Sequence, residues 1–460
     1  MSDTASAPTD RSDDAPLSAW YSLFVLALVA LFAMVDRSIL SLMAEPVKQT
    51  LELSDLQLGL MQGTGIAVFA ALAAFPIGWL ADRFGRKIVL AASVVVWSLA
   101  VVGCALAQNF WQMFLATSMV GAGEAGLAPI TFALIPQLFG KGKRQIANSI
   151  FVLASAASGG LGMVLSGQLV GMVEAVRDLL PVGLQAMEAW RLSFLAAAAP
   201  APAMVLLIAT VHVARRTRKS AASETAETGG LPDAGGPTLR SHLRNHGKTL
   251  FTFFGGMGMA IFSFAAVGVW LPVILMREFQ QTPEQIGGAL GAISIVGMVG
   301  GFLFVAFGLK FLESRLGTLL QIRAMSTAAF LCIFTSFALA FAESANQVYV
   351  IQGVQVLCLT AANMLYPTVL QNLAPDLLRA RVVAIQITAN VGFGAAAAPL
   401  VGVISDQMPD EPRGLIIAAA AVACCGLMVA TFLFRLCESG YCDTVDEISR
   451  IDAEQEPALA

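Results

Sequence analysis

The feature that most restricts this chain is a series of apolar runs, each long enough to cross a lipid bilayer as a helix. They fall at about 19–43, 56–80, 87–107, 111–138, 144–173, 190–213, 249–276, 284–309, 317–341, 346–372, 379–406 and 413–436. A helix rising 1.5 Å per residue needs about 20 residues to span a hydrocarbon layer of ~30 Å. No water is available there to satisfy a free amide, so only helices and closed barrels survive. These runs are continuous and rich in Leu, Ala, Val and Phe, whereas barrel strands alternate in segments of about ten residues. Composition agrees. The chain is 57% hydrophobic and 13% charged, against roughly 45–50% and about 25% in soluble domains. The expected fold class is an all-α polytopic membrane protein with twelve transmembrane helices.

Lys and Arg set the orientation. They gather in the connections after spans two, four, six, eight and ten. The alternate connections and their edges carry only Lys48, Arg177, Arg191, Arg277 and Arg413. The even connections are therefore expected in the cytoplasm, with both termini inside and the chain in the cell inner membrane. Residues 1–18 (MSDTASAPTDRSDDAPLS) are polar and lack the basic start and apolar core of a signal peptide. They are expected to be a cytoplasmic tail, as is the acidic segment 437–460. Residues 214–248 break the apolar pattern with ARRTRKS, SETAETGGLPDAGGP and RSHLRNHGK. Basic ends suit anionic headgroups, and a Gly/Pro/Ser middle makes a flexible linker.

That linker separates six spans (19–213) from six more (249–436). The halves echo one another: Arg144, Gly159 and Gly167 precede Arg379, Gly394 and Gly402 by one constant separation. A repeat of six spans is a common transporter plan, with the substrate site near the midplane between the halves.

Few ionisable residues lie deep in the apolar runs. They are Asp36 and Arg37 in span one and Glu124 in span four, with Asp406 and Arg435 near span ends. Each mid-membrane charge costs about 2.5–3.5 kcal/mol on insertion scales, so such residues face water or one another. Neighbours on a helix diverge by about 100°, so Asp36 and Arg37 cannot pair well with each other. At 1.5 Å per residue Asp36 and Glu124 reach similar depths from opposite faces. Desolvation disfavours the charged form of a carboxylate, which is the equipment of proton coupling. A static polar contact ordering the bundle is the other reading. The second half offers Asn363, Tyr366, Gln386 and Asn390 at depth, as substrate ligands or as helix–helix glue.

Other chemistries find little support. The seven Cys are scattered, without paired CxxC motifs. His212, His242 and His246 lie in or beside the linker, and no nucleophile–His set or phosphate-binding loop appears. An enzyme is not expected, nor a metal or other cofactor, nor a nucleic-acid partner. A non-transporting receptor is the remaining alternative.

The loop GWLADRFGRK (78–87) resembles the signature loop of the major facilitator superfamily. Gly78, Asp82, Arg83, Gly85, Arg86 and Lys87 carry the resemblance. It implies a fold of two six-helix bundles, with these residues as a conformational gate: Asp82 against facing helix ends, the basic residues on the cytoplasmic surface. The segment 308–317 (GLKFLESRLG) is a degenerate repeat of that loop. VDRSILS, LSDLQLGLMQG, VGAGEAGLAPITFALIPQLF, KRQIANSIF, Trp190-Arg191 and the group Pro399, Gly402, Ser405 and Asp406 further resemble the Spinster family of lipid transporters. That resemblance implies Asp36 and Glu124 as proton sites. The family's arginine seven residues before the glutamate is Thr117 here, so either Arg37 supplies the positive charge or coupling and substrate differ from the family pattern; Arg37 and Thr117 join the candidate substrate ligands. The expected partners are an amphipathic or anionic solute, protons and membrane lipids, with the chain acting as a monomer. Uptake of a small organic acid and drug export are alternatives within the same fold.

Overall fold

The computed structural model describes residues 16–211, 239–309, 317–375 and 378–459. The start of the N-terminal tail, the middle of the linker and most of the degenerate repeat at 308–317 lie outside the described residues. Among those described, twelve helices are long and apolar enough to cross a membrane. In chain order they are α1 (Leu17–Leu42), α2 (Asp55–Phe84), α3 (Arg86–Leu106), α4 (Phe110–Leu138), α5 (Gly142–Leu179), α6 (Ala189–Thr210), α7 (Leu239–Arg277), α8 (Pro283–Gly308), α9 (Gly317–Leu339), α10 (Ala345–Asn372), α11 (Arg381–Asp406) and α12 (Gly414–Arg450). They form two bundles of six. Connections after odd-numbered helices share one face, here the odd-loop face; the others, with the signature loop, share the even-loop face.

The two halves start and stop their helices with the same devices. Ser54 and Gln57 form a capping box that opens α2, and Thr282 and Gln285 form one that opens α8. Each satisfies two orphan donors of the first turn. The Asn109 side chain caps α4 through Gln112 N, and Ser344 caps α10 through Gln347 N. At the start of α6, Arg191 donates to the Ala105 and Ala107 carbonyls, at the end of α3. Before α12, Arg413 donates to the Ala342 carbonyl, just past α9. Cations on the last carbonyls satisfy acceptors that the helix leaves bare. The repeat thus rests on far more than three matched positions.

The bundles meet where glycine removes the side chain. A Cβ on Gly402 of α11 would lie 2.5 Å from the Asp55 carbonyl oxygen, and one on Gly59 of α2 would lie 2.5 Å from that of Ala398. Gly167 of α5, the counterpart of Gly402, approaches Gly287 of α8 in the same way. Thr64 Oγ1 donates to the Ala395 carbonyl across the α2–α11 seam at 2.8 Å. All these contacts lie toward the odd-loop face. Toward the even-loop face, a Cβ on Gly78, Gly85 or Gly159 would meet nothing within 4 Å. The two halves therefore close on the odd-loop side and separate on the other.

Two boundaries differ from the sequence expectation. The helix of α12 runs on to Leu459, so residues 437–459 of the expected tail continue the last span's helix. Helix α7 is already formed at Leu239, ahead of the expected 249. The extensions cover each other: Tyr441 and Cys437 are buried, and Thr444 Oγ1 lies 3.3 Å from Thr249 Oγ1. His246 Nε2 lies 3.7 Å from Glu447 Oε1. Hydropathy marks where lipid ends, but a helix continues past that level when its apolar face still has a neighbour.

Candidate solute and coupling site

Helix α1 brings Asp36 and Arg37 to the site on diverging faces. Asp36 is 2% exposed and turned into the first bundle, near Glu124, Trp97 and Cys104. Neither of its carboxylate oxygens has a hydrogen-bond partner within range among the described residues, and neither does Trp97 Nε1. Arg37 points the other way. Its Nη2 lies 3.6 Å from Glu124 Oε2; the Arg37 side chain is half exposed and that of Glu124 8% exposed. Glu124 Oε1 has no hydrogen-bond partner among the described residues. An apolar bundle that leaves two carboxylates this poorly satisfied carries a cost that packing alone does not justify.

Arg37 lines two clefts. One, of about 680 Å³, lies within the first bundle between α1, α2, α4 and α5 and includes Glu124 and Ser155. The other, of about 1020 Å³, lies between the bundles. Its first-bundle wall sets Arg37, Ser38, Ser41 and Gln62 among Leu40, Ile66, Ala67 and Met163, and its second-bundle wall is Ala265, Gly268, Val269 and Gly394. Every polar side chain of the cleft is thus on one wall, and the other is apolar and small. Such a cleft accommodates a molecule with an anionic end and an apolar body.

The other sequence candidates divide. Thr117 is buried and its hydroxyl donates to the Phe114 carbonyl of its own helix, and it lines neither cleft. Arg37 faces Glu124. Asn363, Tyr366, Gln386 and Asn390 also line neither cleft. Gln386 donates to Asn390 Oδ1 at 2.6 Å on the same helix, and Tyr366 stacks on Phe253 with ring centroids 6.2 Å apart.

At the signature loop, the basic residues rather than Asp82 hold the facing helix ends. Arg86 Nη1 donates to the Ala133 carbonyl on α4 at 2.5 Å. Lys87 Nζ donates to the Ala209 and Val211 carbonyls at the end of α6. Arg83 lies over the Trp79 ring at 5.2 Å. Asp82 is exposed, with Arg86 at 3.9 Å. With this face open, it has no facing bundle to touch.

The odd-loop face holds a cluster that the sequence left unassigned. Buried Asp55, at the start of α2, accepts from Lys48 at 2.5 Å, from Arg277 at 3.0 and 2.9 Å, and from Ser405 at 2.7 Å. Arg277, at the end of α7, also donates to Glu45 at 2.8 Å. Asp406, ending α11, accepts from the Asp55 and Leu56 amides at 2.9 Å each. Charged, shape-matched contacts thus tie both bundles together on this face. Beside them, burial holds the Glu278 carboxyl above its ordinary value, against the Ile416 amide and the Arg413 and Arg277 cations. Charge at a span end is ordinary, so hydropathy could not flag these residues. The sparse cations of the odd connections, Lys48 and Arg277, were the available signal.

Two bundles around an ionisable central site, open on one face and bolted on the other, define a membrane transporter rather than an enzyme. Residues 26–393 match the Major Facilitator Superfamily, and the chain belongs to it. It resembles the Spinster transporters within that superfamily. It is 25% identical over 435 residues to protein spinster homolog 1 of Xenopus laevis, covering 89% of this chain and 77% of that one. It is also 25% identical to an MFS-type efflux pump of Mycolicibacterium smegmatis, over 92% of this chain and 94% of that one. A sphingosine-1-phosphate transporter of Mus musculus is 26% identical over 56% of this chain and 45% of its own. Among solved structures, a bacterial homologue of the human lysosomal transporter Spinster, inward-facing and unoccupied, shares the fold. Its TM-score is 0.74 at 19% identity, covering 95% of this chain and 99% of that one.

Proposed function

We propose that this chain is a proton-coupled transporter of an amphipathic, anionic, lipid-like solute, working by alternating access. The observation that carries the reading is the two-faced cleft between the bundles, with Arg37 on its polar wall and small apolar residues opposite. An anionic headgroup would draw Arg37 away from Glu124 (now 3.6 Å distant), so headgroup and carboxylate compete for one guanidinium, and solute binding favours a proton on Glu124. The Spinster resemblance and the sphingosine-1-phosphate transporter among the relatives support a solute with a charged head and a hydrocarbon tail.

The distribution of Lys and Arg supports a cytoplasmic even-loop face, both termini inside the cell and an inner-membrane location. The present state is then open inward. A cysteine introduced at Ser223→Cys, in the linker, should react with an impermeant thiol reagent only from the cytoplasmic side.

The coupling test is spectroscopic. Inter-bundle distances measured from pH 5 to 8 should shift in wild type. Asp36→Asn and Glu124→Gln should each remove part of the shift. If the double variant titrates like wild type, the two carboxylates are structural and coupling lies elsewhere. The solute test is flux into proteoliposomes of sphingosine phosphate, lysophosphatidylcholine and benzoate. Transport of benzoate alone would replace the lipid-like reading by small-acid uptake.

A further inference from the structure

The connection between α5 and α6 has a composition unlike that of a water-exposed loop. It reads RDLLPVGLQAME from Arg177 to Glu188. Leu179 is 84% and Val182 83% exposed, and Leu184 is exposed as well. Isolated apolar residues on a surface need no explanation, but a cluster at one loop tip does.

The loop is folded, and it folds by satisfying its own backbone. A short 3₁₀ turn over Arg177–Leu179 is followed by a helical turn over Val182–Gln185. Arg177 Nη2 reaches back to the Met187 carbonyl at 2.9 Å. Gln185 Nε2 donates to the Leu180 carbonyl at 2.7 Å and the Asp178 carbonyl at 3.0 Å. Leu184 N and Gln185 N both donate to the Pro181 carbonyl. Arg177 and Gln185 thus turn inward onto loop carbonyls, and Leu179, Val182 and Leu184 turn outward. Water would favour the reverse. A segment meeting lipid must close its own hydrogen bonds and present hydrocarbon, because nothing outside it accepts or donates.

Position names the occupant. The helix ending at Leu179 and the one starting at Ala189 are both membrane-crossing in length and hydropathy. The stretch between them is held at the level where both leave the bilayer. Of the ions in the segment, Arg177 is held by loop carbonyls and Glu188 by Arg191 at 2.5 Å, while exposed Asp178 sits at the base, at the end of α5.

We propose that residues 177–188 form a lipid-inserting finger, with Leu179, Val182 and Leu184 entering the leaflet on the odd-loop face. The partner is the bilayer surface itself. The finger sets the depth of the first bundle, the half that carries Arg37 and Glu124, while the bundles rock. This goes beyond the transport reading and stands whether or not protons are coupled.

The test is nitroxide labelling of Val182→Cys and, separately, Gly183→Cys. The background carries Cys425→Ser and Cys442→Ser, and the full chain is reconstituted in phosphatidylcholine–phosphatidylglycerol nanodiscs at one copy per disc. Power saturation should show each label several-fold more accessible to oxygen than to a water-soluble nickel chelate, as for a site below the headgroups. A label at Glu343→Cys, on the odd-loop connection of the other half, should show the opposite ratio. Nickel access at 182 and 183 matching that at 343 would overturn the proposal. So would loss of access to both reagents with spin–spin broadening at two copies per disc, since the finger would then bind a second copy. A third measurement keeps the idea exposed if labelling perturbs the loop. The pair Leu179→Ser and Val182→Ser should fold in detergent and lower partition into nanodiscs; unchanged partition would count against insertion.

Discussion

Arg37 serves two masters, the cleft and Glu124, and substitutions there separate them. Arg37→Ala strands Glu124 without its cation. Breaking a fully buried pair costs about 3–5 kcal/mol, and Arg37 is half exposed, so the expected loss is about 1–2 kcal/mol. Adding Glu124→Gln should restore most of it, since the uncompensated charge is gone. A double-mutant cycle by thermal unfolding in detergent measures this. No recovery would mean that the two residues act independently. Thr117→Val should cost at most about 1 kcal/mol, because the hydroxyl only meets a carbonyl of its own helix. It should leave solute flux unchanged; a large flux defect would return Thr117 to the site. Asp36, Arg37 and Glu124 stood out in the sequence because charge in an apolar run is costly. Asn363, Tyr366, Gln386 and Asn390 were not separable, because neutral polar residues are as useful for packing as for binding.

At the scale of helices, the α2–α11 and α5–α8 seams decide what can move. Gly402 and Gly167 occupy equivalent places in the repeat, and each lets a helix touch the start of a partner in the other bundle. Gly402→Ala puts a methyl 2.5 Å from the Asp55 carbonyl oxygen, a contact that the backbone has to relieve by separating. The expected result is a longer α2–α11 distance on the odd-loop face by double electron–electron resonance, with a melting temperature lower by several degrees, the effect of about 1–3 kcal/mol of overpacking. Gly159→Ala has open space around it and should be neutral, with a small gain from helix propensity. Equal effects at the two positions would remove the seam argument. The sequence already showed the matched glycines through a constant offset. It could not show which were tight, because tightness belongs to the pair of helices and not to either one. The long α7 and α12 were missed for a similar reason: their ends are decided by each other.

At the scale of the whole molecule, the proposed alternating access calls for a lock on each face, and only the odd-loop contacts are made in this state. Arg277, Asp55, Glu45 and Lys48 bind the halves together on the odd-loop face, while Asp82 stands exposed on the other. A contact stabilises only the state in which it is made, so removing it shifts the population by its differential energy. Arg277→Ala removes contacts made here and leaves buried Asp55 with Lys48 and Ser405. About 2 kcal/mol of lost stabilisation is a ~30-fold shift toward the odd-loop-open state. Asp82→Asn removes only an exposed 3.9 Å ion pair with Arg86 from the present state. It should act in the opposite direction, by weakening the state in which the even-loop face closes and Asp82 meets the facing helices. The double variant should then fall between the two singles, since the sites sit on opposite faces and share no partner. Distances measured on both faces at fixed pH read all four proteins. Opposite shifts for the singles and an intermediate double would establish two locks on one rocking motion. A shift in the same direction for both would mean that one of them merely loosens the fold, and thermal unfolding of each single variant would show which.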